Sequence, residues 1–325
     1  MSDRTTNNNA RAIAVDPDGN IHVVWYGTVS AQFQVWYTWR DAATGDWSAD
    51  TVLTHEPTGA CFPCLACDDD GNVHILWQVG PATGGTALCY LRRSSSGLWD
   101  TTETVVFGIH VERPSVACRD PGFVVAAWEQ AAPVPAYRNV FVSARDAQGW
   151  RAPERTSIPS TGQQQFSASV GVDDSSTIGV LWVTSGPGNG ILFRRRRGGS
   201  WSRIDTLYWG YPSYRTCLHM EPNGRSHAAW NGQAPGGSSI RTFYRQCRDT
   251  VWGDSTLLPR VSNAEPGGVS IAADEFRQIH AVWCAESGSI GVEVYYSASD
   301  GTGSNWSTPL RLTNAAVNRE NPSLC

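Results

Sequence analysis

The apolar and polar positions of this chain repeat about every 50 residues. The clearest copy is Asp16-Pro17-Asp18-Gly19-Asn20-Ile21-His22-Val23-Val24-Trp25, a tight acidic turn leading into an apolar strand that ends on Trp. It recurs as Asp68-Asp69-Asp70-Gly71-Asn72-Val73-His74-Ile75-Leu76-Trp77. Weaker copies end at Trp128, Trp182, Trp230 and Trp283, at successive spacings of 52, 51, 54, 48 and 53 residues. A second Trp follows each copy (Trp47, Trp99, Trp150, Trp201, Trp252 and Trp306), so twelve of the fifteen Trp belong to one repeated unit. Short strands at this period predict an all-β fold, a single six-bladed β-propeller with one four-stranded antiparallel blade per repeat. In the first unit the strands read as residues 11–15 (A), 21–26 (B), 34–39 (C) and 48–53 (D). Asp-Gly, Asn-Gly and Pro-Gly turns supply the left-handed positions that hairpins need.

The blades are expected at 11–54, 62–106, 113–157, 166–207, 214–258 and 267–313, after an extended or disordered segment 1–10. Asn321-Pro322-Ser323-Leu324-Cys325 repeats Arg113-Pro114-Ser115-Val116-Ala117, so 314–325 reads as the truncated start of a further repeat. Each blade can supply its own four strands, so deleting that segment is expected to change stability little.

Composition narrows the function. A net charge of −5 argues against nucleic acid, which needs a basic stripe. No apolar run approaches the ~20 residues of a membrane helix, and residues 1–10 lack the apolar core of a signal peptide. Nine Cys is an odd number, and several stand at repeat positions, which favours small core residues. Cys61-x-x-Cys64-x-x-Cys67 has a metal-like spacing, but residues three apart on a strand face opposite ways, so no metal is expected. Asp16-x-Asp18-Gly19-Asn20 likewise reads as a turn, since no bidentate Glu follows at the twelfth position. His22, His74, His227 and His280 share one place, three residues before the strand-B Trp, and read as buried, hydrogen-bonded structural groups. Arg194 to Arg197 reads as a solvated outer strand.

The pattern Pro-Ser-Val-Ala…Gly-Asn-x-His-x-x-Trp…Tyr-Tyr-Ser…Trp-Ser-x-Pro resembles bacterial sialidase-like propellers of the BNR, or Asp-box, type. Ser297-Ala298-Ser299-Asp300-Gly301…Asn305-Trp306 is the nearest copy of the box, and Ser143-Ala144-Arg145-Asp146…Gly149-Trp150 is a degenerate one. The resemblance implies an extracellular or cell-surface monomer without a cofactor.

In a propeller of this class the D–A and B–C loops open on the binding face. Counting back fifteen from each strand-B Trp gives Ala10, Phe62, Arg113, Ser167, Arg215 and Gly268 at the entrance to strand A. Arg113 and Arg215 are therefore equivalent, two blades apart, and are expected to converge. Glu112 and Tyr214 precede them. By resemblance, an Arg cluster clamps a sugar carboxylate bidentately, while Tyr, Glu and Asp carry out glycosidic chemistry. Tyr214 and Glu129 are the catalytic candidates, and no Asp acid/base can be assigned. Ligand-binding candidates are Arg113, Arg215, Glu112, Trp209, Tyr211, Phe62 and His110. His55, Tyr26, Tyr137, Phe166, Gln78, Asn231 and Glu286 are placed nearby. Aromatic platforms with planar polar partners suit sugar rings. The leading function is a glycan-binding module. The rivals are an exo-sialidase-type hydrolase and a structural or protein-interaction propeller.

Overall fold

The computed structural model describes residues 12–120, 122–131, 137–158, 162–211, 213–237, 239–261, 266–286, 291–314 and 322–325. The chain is all-β, a six-bladed β-propeller of four-stranded antiparallel sheets. It divides into two compact units, residues 1–161 with Cys325, and residues 162–324. Each carries three blades.

In the first unit, blade one runs Ile13–Val15, Ile21–Val29, Gln32–Arg40 and Thr51–Val52. Blade two runs Ala60–Cys67, Val73–Val79, Ala87–Arg93 and Glu103–Phe107. Blade three runs Glu112–Cys118, Val124–Ala131 and Arg138–Asp146, and its strand D is split into Gly149–Trp150 and Glu154–Arg155. The sequence reading took strand D as one stretch. Instead, Trp47 and Trp99 each form only an isolated bridge to the end of strand C, and pairing resumes a few residues later.

The repeat residues make one construction. His22 bonds Tyr37 Oη at 2.7 Å and Asp16 at 3.1 Å through its two ring nitrogens. His74 does the same with Tyr90 at 2.8 Å and Asp68 at 3.0 Å. The Asp also accepts backbone N–H groups of its own turn, so the turn, strand B and strand C are pinned together. The second Trp of the next blade then meets the same Tyr edge-on, Trp99 on Tyr37 at 5.1 Å and Trp150 on Tyr90 at 5.3 Å. Cys64 packs with Val116 and Trp128, whereas Cys67 packs with Ala14 and Tyr37, so the two thiols serve different inter-blade cores.

In the second unit, blade four runs Gln164–Val172, Ile178–Ser185 and Gly190–Arg197, with strand D as Ser200–Trp201 and Asp205–Trp209. Blade five runs Ser213–Met220, Ser226–Gln233 and Ile240–Arg248, with Val251–Trp252 and Thr256–Leu257. Blade six runs Pro266–Ala273, Ile279–Glu286, Val292–Ser299 and Leu310–Arg311. His227 joins Tyr244 to Glu221, both at 2.7 Å, and His280 joins Tyr296 to Asp274 at 2.7 and 3.1 Å. Blade four has Gly179 at the His position, and Met220 of blade five fills the space; a Cβ at Gly179 would come within 2.5 Å of the Met220 sulfur. Strand C of blade four is not an outer edge, because strand D pairs with it. Arg194 and Arg195 accordingly lie half-buried on Trp201 and Phe193.

All six strand-B Trp are buried, from 0% to 8% exposed. The turn at Asp300 in blade six is a knit C–D turn. Asp300 accepts bonds from Thr302 and Asn305, which pull its carboxyl down to about 2.

Candidate functional site

The entrance to strand A is where the repeat gives up regularity. Phe62, Arg113, Ser167 and Arg215 occupy the same repeat position, and all four are left-handed, with φ of 51°, 50°, 54° and 47°. At each the A–B register shifts, the mark of a β-bulge. A non-glycine residue there costs on the order of 1–3 kcal/mol, and such strain gathers where side chains are re-aimed for function. The one position that counting back from Trp selected is thus a built deformation in four blades.

In the first unit the bulge of blade three organises an acidic floor. Glu112 and Glu129 stand directly opposite each other across strands A and B, 1% and 0% exposed. Two buried carboxylates face to face need cations. Arg138, at the start of strand C, reaches Glu112 at 3.0 Å and Glu129 at 3.3 Å. Arg113 lies 3.8 Å from Glu129 and stacks over the Phe62 ring at 5.9 Å. Phe62 in turn meets Tyr26 edge-on at 5.4 Å. His110, also left-handed at φ 52°, approaches Glu112 with Nδ1 at 3.1 Å, and Gly84 N–H donates to the same carboxylate oxygen at 2.8 Å. Buried Gln78 accepts from the Arg113 backbone N–H and donates to Pro81 O. Carboxylates below and cations above give a graded surface: the side chains of Arg113, Arg138 and His110 keep 43%, 32% and 47% of their exposure. Such a pair of guanidinium groups, oriented from beneath, presents N–H donors outward to an oxyanion.

Sequence reading named every side chain of this cluster that bonds or stacks here except Arg138. Its role follows from the register, since a hairpin carrying Glu129 opposite Val140 places Arg138 on the diagonal, within reach of a long side chain.

In the second unit Arg215 has other neighbours. Tyr214, 47% exposed, stands opposite Asn231 where blade three has its glutamate pair. Asn231 accepts from Thr242 at 3.0 Å and donates to Gly267 O. Of the aromatic run before Arg215, Tyr208 seals blade four to blade five, packing on Trp230 and Phe243 at 5.8 and 4.7 Å and donating to Gln233 O. Burial, with Tyr211 beside it, pushes its hydroxyl up to about 12. Trp209, 51% exposed, ends strand D and covers Gly188 and Gly190, and half-buried Tyr211 packs on Tyr208. Arg113 and Arg215 belong to different units, so their convergence stays an expectation. The side chain of Glu286 and residues 1–11 lie outside what the structure describes. Among the described residues no three His, Cys, Asp or Glu side chains are placed to hold a metal ion, and there is no helix long and apolar enough to cross a membrane.

No family model and no curated protein matches the chain. Solved structures do match in fold. A polysaccharide lyase, an ulvan lyase bound to the repeat GlcA(1-4)Rha3S, aligns over 99% of this chain and 87% of its own, at 14% identity and a TM-score of 0.67. The Hadza microbial sialidase Hz136 aligns over 84% of this chain and 62% of its own, at 11% identity and a TM-score of 0.57. An α-L-arabinanase from Penicillium chrysogenum complexed with arabinobiose aligns over 86% and 94%, at 10% identity and a TM-score of 0.57. These similar structures are glycan-processing propellers, and at such identities the likeness is one of fold.

Proposed function

We propose that the protein binds an acidic saccharide, a chain or unit bearing a carboxylate or sulfate, at the blade-three entrance formed by Arg113, Arg138, His110 and Phe62. One observation carries this reading: two fully buried glutamates hold two guanidinium groups and an imidazole half-exposed over an aromatic ring. The floor fixes the donors in advance, which lowers the ordering cost of binding. Phe62 offers a flat apolar face to a sugar ring. Trp209, Tyr211, Tyr214 and Arg215, in the other unit, offer a second set of aromatic and cationic side chains, there beside a neutral Tyr214–Asn231 pair. The similarity to glycan-processing propellers supports a carbohydrate ligand. Membership of the BNR, Asp-box group, an extracellular or surface location and a monomeric state belong to the same proposal.

A catalytic reading has its own support in His110. An exposed imidazole held by a buried carboxylate suits a general base, and a guanidinium beside it suits neutralisation of a uronate carboxylate, the two needs of proton abstraction next to a carboxylate. Sialidase-type hydrolysis would need Tyr214 or another nucleophile with Glu129, and an acid/base that no residue supplies on this reading. A glycan array on the intact chain, with uronate-lyase and sialidase assays on the same sample, separates these. Binding to acidic glycans without turnover supports the module, unsaturated uronate product supports the lyase, and retention of neutral glycans only would sink both.

A further inference from the structure

The second unit contains a small cleft between blades five and six, with none of the ligand-binding candidates named above in its lining. Its rim comes from the start of strand C (Arg241, Thr242), the end of strand D (Leu258 to Arg260) and the strand A–B pair of blade six (Pro266, Trp283). Two arginines share this small space. Arg241 is half-buried on strand C, and Arg260 stands exposed on the loop after strand D. Among the described residues neither makes an ion pair, in a protein with more acidic than basic groups. Burial, and then the charge of Arg260, push the Arg241 guanidinium below its ordinary range. Two like charges facing one cleft repel each other and cost desolvation, so an anion between them relieves both.

The walls sharpen the specificity. Thr242 Oγ1 already donates to Asn231 Oδ1 at 3.0 Å, so its proton is committed. Pro259 and Pro266 have no N–H to offer. Leu258 and Trp283 are apolar and buried. The two guanidinium groups are therefore the charged donors of the cleft, and the remaining surface accepts a body without charge.

We propose that this cleft is a second ligand site, an oxyanion-binding site in which Arg241 and Arg260 together hold one carboxylate or sulfate group. Arg241 acts as the fixed donor on the strand and Arg260 as the adjustable one on the loop. The site is independent of the blade-three cluster and stands or falls separately.

The test is calorimetric titration of the full chain with two probes, sodium sulfate and sodium glucuronate, at ionic strength held constant with sodium chloride. Saturable binding of at least one probe is expected, weakened about ten-fold or more by Arg260→Ala and by Arg241→Ala. Arg203→Ala, which removes an exposed charge elsewhere in the same unit, should leave binding as it is. Sulfate alone or glucuronate alone tells which oxyanion fits, and either supports the site. The proposal is overturned if neither probe saturates, if Arg203→Ala weakens binding as much as the cleft variants, or if both cleft variants bind like the parent. Should Arg241→Ala fail to fold, Arg260→Ala, which alters only an exposed loop side chain, decides the matter alone. The blade-three reading is judged by Arg113→Ala, so the two failures are distinguishable.

Discussion

Blade three and blade five carry the same bulge, the same left-handed backbone and the same arginine at its apex, yet they stand it on different floors. Beneath Arg113 are two buried glutamates, bridged by Arg138. Beside Arg215 are Tyr214 and Asn231, a neutral pair whose amide is spent on Thr242 and Gly267. A repeat fixes backbone geometry, because every blade must present the same edges to its neighbours. It does not fix what the apex residue rests on. The difference teaches where to look for function in such a chain: at positions where the backbone repeats and the chemistry does not.

The largest consequence is for stability. Arg138→Ala would leave Glu112 and Glu129 facing each other with Arg113 as the remaining cation, and should cost about 3–5 kcal/mol, as for a broken buried ion pair. Asn231→Ala leaves a hydroxyl and a carbonyl short of a partner and should cost about 1–3 kcal/mol. Urea unfolding of the two variants measures both. An Asn231→Ala cost equal to or above that of Arg138→Ala would erase the distinction between an acidic and a neutral floor.

Acid should weaken both units, because each holds two of the Asp/Glu–His–Tyr clusters. Burial alone would raise the Asp16 carboxyl, but hydrogen bonds from Asn20 and His22 outweigh it and hold the group below its usual range; Asp68 and Glu221 behave alike. Burial also depresses His22 and His227 below 6.5. Both kinds of group are more readily protonated in the unfolded chain. Their stability is therefore fully present above the unfolded values, and is lost as pH falls, first below 6.5 and then below 3.8. Tm measured from pH 7 to pH 3 tests this, and a flat profile would show that the clusters contribute no pH-linked stability.

Much of the fold was legible because Trp, His and the acidic turn recur at fixed spacing, and each recurrence is forced by a specific contact. The four repeated His could be read as buried and bonded from spacing alone, but their Tyr partners could not. Tyr37, Tyr90, Tyr244 and Tyr296 lie 15 to 17 residues away on the next strand, and hairpin register decides that meeting. The split of strand D was hidden for a related reason: Trp47 and Trp99 each form a single bridge to strand C before the chain departs, and no residue pattern marks that departure. At the site, Arg113 was visible through the repeat position it shares with Arg215, and Glu112 as the residue before it. Arg138 was not, because its role depends on a diagonal across two strands.

Binding sharpens the comparison further. If the blade-three donors hold an acidic saccharide, Arg113→Ala removes one charge-assisted bond worth ~1.5–3 kcal/mol, a loss of roughly ten- to a hundred-fold in affinity. Arg196→Ala, on strand C of blade four, should leave it unchanged. Titration with the best acidic glycan from the array provides the numbers. The convergence of Arg113 and Arg215 is itself open to a double-mutant cycle, in which additive losses would mean that the two arginines act independently.

The smallest effect is expected at the last described residues. Leu324 N–H donates to Ser270 Oγ at 3.1 Å. The same bond occurs one repeat earlier, from Ile271 N–H to Cys217 Sγ at 3.4 Å, and two repeats earlier, from Leu218 N–H to Ser169 Oγ at 2.9 Å. Leu324 thus makes against blade six the contact that the strands A of blades six and five each make against the strand A before it. The segment therefore behaves as a strand-A equivalent, as its sequence match to Arg113-Pro114-Ser115-Val116-Ala117 predicts. It differs from those strands in pairing: no strand B answers it among the described residues. One hydrogen bond to a hydroxyl, without a ladder behind it, contributes about 0.5–1.5 kcal/mol. Deleting Pro322 to Cys325 should lower Tm by a few degrees at most, and Ser270→Ala, which removes the Leu324 bond alone, should account for part of that change. A deletion cost several times that of Ser270→Ala would mean that the segment holds the fold by packing rather than by this bond.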